Sequence, residues 1–220
     1  MVRRRVAARI PSTRPPREQP ISSLEALRAL LGAPTCPHRP AGADGWAGVE
    51  RYVGRALPGD FKAFLDEYGS GAVSGELLVL HPEGSIPLAV RMAGIHWTFS
   101  ERRRRALERG DARHLPYPFH PEPGGLISWG FDQSGHEHFF LPCDPDPDRW
   151  KVVTMVHEEG CETFDGSFTD FVLAFVRDLS ELDRDHGIDP AALEFLEPED
   201  LEELAAEEGI GPVPPGFEPF

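Results

Sequence analysis

His136 and His138 stand two apart in a run of aromatic and aliphatic residues, and Asp132 lies four positions before the first of them. Residues two apart on a β-strand face the same side, so both rings can present nitrogen to one point. That is the beginning of a metal site, or of an acid–base pair with Asp132. No third metal ligand lies nearby in sequence, and an aspartate at a turn caps local backbone N–H groups whatever else it does. The structural reading of the pair is therefore preferred, with a metal-binding enzyme centred on His136 and His138 as an alternative.

Other candidates are weaker. Cys36-x-His38 and His157-x-x-x-Cys161 would give four zinc donors only if two distant segments met, and neither spacing fits a known zinc module. Asp144, Asp146 and Asp148 open like a calcium loop, which needs Gly at its sixth place and Glu at its twelfth; Arg149 and Met155 stand there instead. Arg102 to Arg105 are consecutive, so on a helix they spread around a full turn and pair with Glu101 and Glu108 rather than form one basic face. No glycine-rich phosphate loop, nucleophile elbow or His-Glu-x-x-His helix is present. The sequence thus predicts no catalytic residue, no metal and no cofactor.

Short elements must hold these residues, because 22 glycines and 23 prolines punctuate a chain of 220. Ser22 and Ser23 followed by Leu24, Leu27, Leu30 and Leu31 predict a helix over 23–31. Loop chemistry fills 36–45, and Trp46, Val49, Tyr52 and Val53 predict a second helix ending near Gly54. Pro58 and Asp60 start a third, whose stripe Phe61, Phe64, Leu65 and Tyr68 ends before Gly69 and Gly71. A strand is expected over 76–80. A helix over 88–109 follows, with Leu88, Met92, Ile95, Phe99 and Leu107 on its buried side. A meander comes next: strands at 126–129, 137–141 and 150–156, with Phe164 in a fourth and a turn at 132–135. Ser167 with Asp170 heads a closing helix that buries Phe168, Phe171, Val172, Phe175 and Leu179.

The expected organisation is a disordered basic arm over 1–20, a folded domain over 21–180, and an acidic, partly helical extension over 181–220. The arm holds six arginines and one acid, and the extension thirteen acids and one base. The fold class is α+β: helices packed on a twisted, mostly antiparallel sheet. Twenty-two basic against 37 acidic residues leave a net charge of −15, which repels nucleic acid and attracts cationic partners. Three cysteines at no regular spacing, and no run of 18 apolar residues, point to a cytoplasmic protein with no membrane partner.

Trp46-Ala-Gly-Val-Glu50, followed by Leu57-Pro-Gly-Asp-Phe-Lys-Ala-Phe-Leu-Asp-Glu-Tyr-Gly-Ser-Gly71, resembles the entry motif of the SUKH superfamily, the SMI/KNR cell-wall-assembly regulators. Trp129-Gly-Phe-Asp-Gln-Ser-Gly-His136 is similar to that family's hairpin, with Trp129, Gly130 and the turn glycine Gly135, and the helix carrying Phe171 is similar to its closing helix. The likeness spans about 46–179. It implies a non-enzymatic protein-binding fold, in bacteria an immunity protein that neutralises a nuclease-type toxin by binding it. The expected contacts with such a cationic toxin are the acids Asp132, Glu137, Asp144, Asp146, Asp148, Glu158, Glu159 and Glu162. A regulatory scaffold docking through the acidic extension is the alternative.

Overall fold

The computed structural model describes residues 22–34, 40–84, 86–156, 160–186 and Phe195. The expected basic arm and most of the acidic extension lie outside the described residues, as do Cys36, His38, His157, Glu158 and Glu159. The fold is α+β, with five α-helices and an open six-stranded antiparallel sheet among the described residues. The helices are α1 (Ser23–Leu31), α2 (Ala43–Val53), α3 (Gly59–Tyr68), α4 (Leu88–Glu108) and α5 (Phe168–His186). Strands β1 (Gly71–Val73), β2 (Leu77–Val79), β3 (Ile127–Asp132), β4 (Glu137–Leu141), β5 (Lys151–Val156) and β6 (Gly160–Phe164) lie in chain order across the sheet.

Side-chain alternation divides the core in two. Ile127, Trp129, Phe140 and Val152 join Leu27, Phe61, Phe64, Leu65 and Phe168, so α1, α3 and α5 cover one face. Phe139, Val153 and Met155 point the other way, against Ile95 and Phe99 of α4 and against Phe119 and Leu126. Aromatic edges supply much of the first layer: Phe61 meets Phe140 at 5.2 Å and Phe168 at 4.9 Å between ring centroids, both edge-to-face.

Helix ends are tied together by remote carboxylates. Pro58 offers α3 no side-chain cap, and the Gly59 N–H donates instead to Asp148 Oδ1 at 2.5 Å. Asp60, expected to act within its own helix, reaches across to α5, where its Oδ2 accepts from the Thr169 N–H at 2.8 Å and the Thr169 hydroxyl at 3.0 Å. Ser167 and Asp170 form the expected reciprocal cap, and Asp170 also accepts from the Ser23 hydroxyl at the start of α1.

Some expectations need correcting. α2 starts at Ala43, before Trp46, so Gly45 is helical rather than loop; its missing Cβ leaves room for the Glu83 side chain. Gly71 belongs to a short strand, β1, which a three-residue span with two flanking glycines hides from any periodicity. Leu107 is 52% exposed, and Ala106 takes the buried place at that end of α4.

Gly130 sits where β2 and β3 cross closely: a Cβ there would stand 2.5 Å from the Leu78 carbonyl oxygen. Gly130→Ala must push the strands apart, at a cost of about 2 kcal/mol, which in a domain of this size lowers the melting temperature by about 4–8 °C. Calorimetry checks this, and an alanine variant melting with the parent would contradict the close approach.

Candidate functional site

Asp132, His136 and His138 do come together, but inside the sheet. β3 ends at Asp132 and β4 returns at Glu137, with His138 facing Thr154 of β5 in register. Asp132 Oδ1 accepts the His136 N–H at 3.0 Å. Its Oδ2 lies 3.1 Å from His136 Nδ1 and 3.2 Å from His138 Nε2. With the carboxylate ionised, both rings donate to it, and His138 Nδ1 is left to accept from the Thr154 hydroxyl at 3.0 Å. Burial acts to raise the Asp132 carboxyl, but hydrogen bonds from His138 and the His136 N–H, with both rings nearby, outweigh it and hold the group below its usual range. Burial pushes His138 down, against the pull of Asp132.

Hydroxyl, imidazole and carboxylate in this order match the connectivity of a nucleophilic triad. Thr154, in the nucleophile's place, is half-buried. Here the His138 ring is 1% exposed, stacked on Trp129 at 5.2 Å and tilted against Phe171 at 5.2 Å. The arrangement locks β3, β4 and β5 to one another. Among the described residues, no group of three His, Cys, Asp or Glu side chains forms a metal cage.

A second polar cluster lies under α4. His96 is 1% exposed, and its Nε2 accepts the Ser128 N–H at 2.9 Å, beyond the point where β2 stops pairing with β3. Its Nδ1–H therefore donates to the Tyr52 hydroxyl at 2.8 Å, and the two rings stack at 5.8 Å. His120 closes the group 5.2 Å from His96. Burial, and secondarily the neighbouring His120, depress the His96 pKa well below 6.5. The signal was in the sequence: His96 is four after Met92 and three before Phe99, on the buried side of the expected helix.

The acids expected to bind a partner divide. Asp132 is buried, and Glu137 is half-buried, with Oε1 2.5 Å from Arg91 and Oε2 without a hydrogen-bond partner among the described residues. Neither is an exposed hairpin acid, because the strand pairing turns both inward. Asp144 is half-buried; Asp146, Asp148 and Glu162 are exposed. The aspartate ladder folds its own loop: Asp144 accepts the Asp146 N–H at 2.9 Å and Asp146 the Asp148 N–H at 3.1 Å. Asp144 and Asp148 then line a recess of about 480 Å³ with Asp165 and Asp170, two acids not among the expected partner contacts. Arg149 and Lys151 share the recess, near Asp144 at 3.7 Å and Asp165 at 3.1 Å, which leaves an excess of negative charge. The arginine run of α4 is a solvated face, with Arg104 paired to Glu101 at 2.8 Å and Glu108 at 2.6 Å.

Comparison with protein-family models, curated proteins and solved structures finds no match to this chain. Among the described residues no helix is long and apolar enough to cross a membrane.

His96 and His138 are both held neutral by the fold, below the 6.5 of a free imidazole. Their contribution to stability is full above pH 6.5 and is lost as pH falls below it, because the unfolded chain then binds protons that the fold refuses. Two such groups give a slope of at most about 2.7 kcal/mol per pH unit. The melting temperature is expected to fall from pH 7.5 to pH 5, and His96→Gln to reduce that dependence. A flat profile in the parent protein contradicts the buried neutral state.

Proposed function

We propose that this chain is a non-enzymatic protein-binding module that captures a cationic protein, in the manner of an immunity protein neutralising a nuclease-type toxin. The observation that carries the reading is the recess of Asp144, Asp148, Asp165 and Asp170 in a chain of net charge −15. A nuclease keeps a basic groove for phosphate, and a concave acidic surface is steered to such a groove faster than a neutral one. The carboxylates are also held in place before any partner arrives: Asp148 by the Gly59 N–H, Asp170 by Ser23 and Ser167. Hydrogen bonds from Ser23 and Ser167 keep the Asp170 pKa below its ordinary value against partial burial, so the group stays charged. The resemblance of Trp46–Gly71 and Trp129–His136 to the SUKH superfamily supports the same class of function.

Co-expression with the product of a neighbouring nuclease-toxin gene is expected to restore growth and to give a complex on a sizing column. Failure of both contradicts the proposal. The double variant Asp146→Lys with Asp165→Lys alters two exposed acids in or beside the recess. It is expected to slow association about tenfold at low salt, with the gap closing at high salt. An unchanged rate assigns the contact to another surface.

A further inference from the structure

The two edges of the sheet are not equivalent. At one edge, Val73 of β1 forms an antiparallel bridge with Phe195, whose ring packs 5.3 Å from Tyr68 and 6.1 Å from Phe64. The chain thus covers that edge itself. At the other, β6 pairs inward with β5, and no strand of the described residues pairs with its outer side. Five residues give about 17 Å of backbone N–H and C=O groups available for pairing.

That edge adjoins a groove. Phe164, the last residue of β6, lines a hollow of about 790 Å³ between α1 and α5, with Ala29, Leu30 and Leu173 among its apolar walls. Leu30 is 40% exposed there. Phe164 lies opposite Val152 and meets Phe171, so it faces the α5 side of the sheet. A strand added beside β6 would continue this alternation and set every second side chain over the groove. The charges around it are mostly acidic: Glu162 and Asp165 are exposed, and Glu25 and Asp170 line the groove, with Arg177 also among its lining residues.

We infer that β6 and the α1–α5 groove receive an extended segment of a protein partner, added as a seventh antiparallel or parallel strand, whose groove-facing side carries a basic residue beside Glu162 and an apolar one beside Phe164. The inference rests on the protein-capture reading above and names the surface and the form of the ligand. Charge selects this occupant over a second copy: antiparallel pairing of β6 about its centre sets Glu162 against Glu162, and two chains of −15 repel.

The test titrates the isotope-labelled full chain with a capped eight-residue peptide of the repeat lysine-threonine-valine-threonine, which sets lysine and valine on one face. Controls are the same peptide N-methylated at its four central residues and a peptide with glutamate in place of lysine, whose binding as tight as that of the lysine peptide would overturn the charge selection. Expected are shift changes and slowed amide exchange over 160–164, with changes at the methyl groups of Leu30 and Leu173. Binding should be at least tenfold weaker with the N-methylated peptide and about fivefold weaker in Glu162→Lys. Equal binding of the N-methylated peptide, changes confined to other residues, or no binding at all overturns the strand addition. So does a dimer of the free chain that Glu162→Lys alters. Changes confined to 143–151 and 165–170 would reject the edge and leave capture by the acidic recess standing.

Discussion

An N–H at the start of a helix has no partner within that helix; α1 meets the need locally through Ser22, whereas α3 and α5 also draw on carboxylates from elsewhere in the chain. Asp148 reaches α3, Asp60 of α3 reaches α5, and Asp170 of α5 reaches the first residue of α1. The three links form a relay from the β4–β5 loop through all the helices on one face of the sheet. They tie the starts of those helices to one another, beside the apolar stripes that meet Trp129, Phe140 and Val152. They also gather negative charge at one end of that face. The acidic recess is in this sense a by-product of capping, since two of its four carboxylates are cap residues with a side still open to solvent.

Inside the sheet the same requirement is met by histidine. His138 satisfies Asp132 and Thr154, and His96 satisfies an N–H of β3 that β2 is too short to reach. Each ring supplies one donor and one acceptor only while neutral, and each is packed on an aromatic neighbour. Their hydrogen bonds hold strands and a helix in place. In the hydroxyl–imidazole–carboxylate chain, Trp129 and Phe171 pack on the imidazole.

Much of this architecture was legible in the residues. The boundaries of α1, α3 and α4 follow from Ser22, Pro58 and the Pro87–Leu88 step, and the β3–β4 hairpin from its Asp132-Gln-Ser-Gly135 turn. What escaped was long-range. Asp60 looks like a cap for its own helix, and only the packed fold brings it to Thr169, 109 residues away. Asp132 and Glu137 have the polarity and hairpin position of surface acids, yet the strand alternation and the cover of α4 and α5 turn them inward, to His138 and to Arg91. Asp165 carries no signal in sequence and Asp170 reads there only as a cap of its own helix; both line the recess through the loop that meets them. Local pattern determines elements; which carboxylates remain at the surface depends on the register between them.

The central claim is that a cationic protein is held at the acidic end of the sheet, over the recess and the β6 edge. Hydrogen–deuterium exchange of the full chain, with and without a cationic nuclease toxin that it is proposed to bind, tests this most directly. Slowed exchange over 143–151 and 160–170, with α4 and the 132–135 turn unchanged, is the predicted result. Protection centred on α4 or on that turn, with the recess and β6 exchanging as in the free chain, would contradict the account.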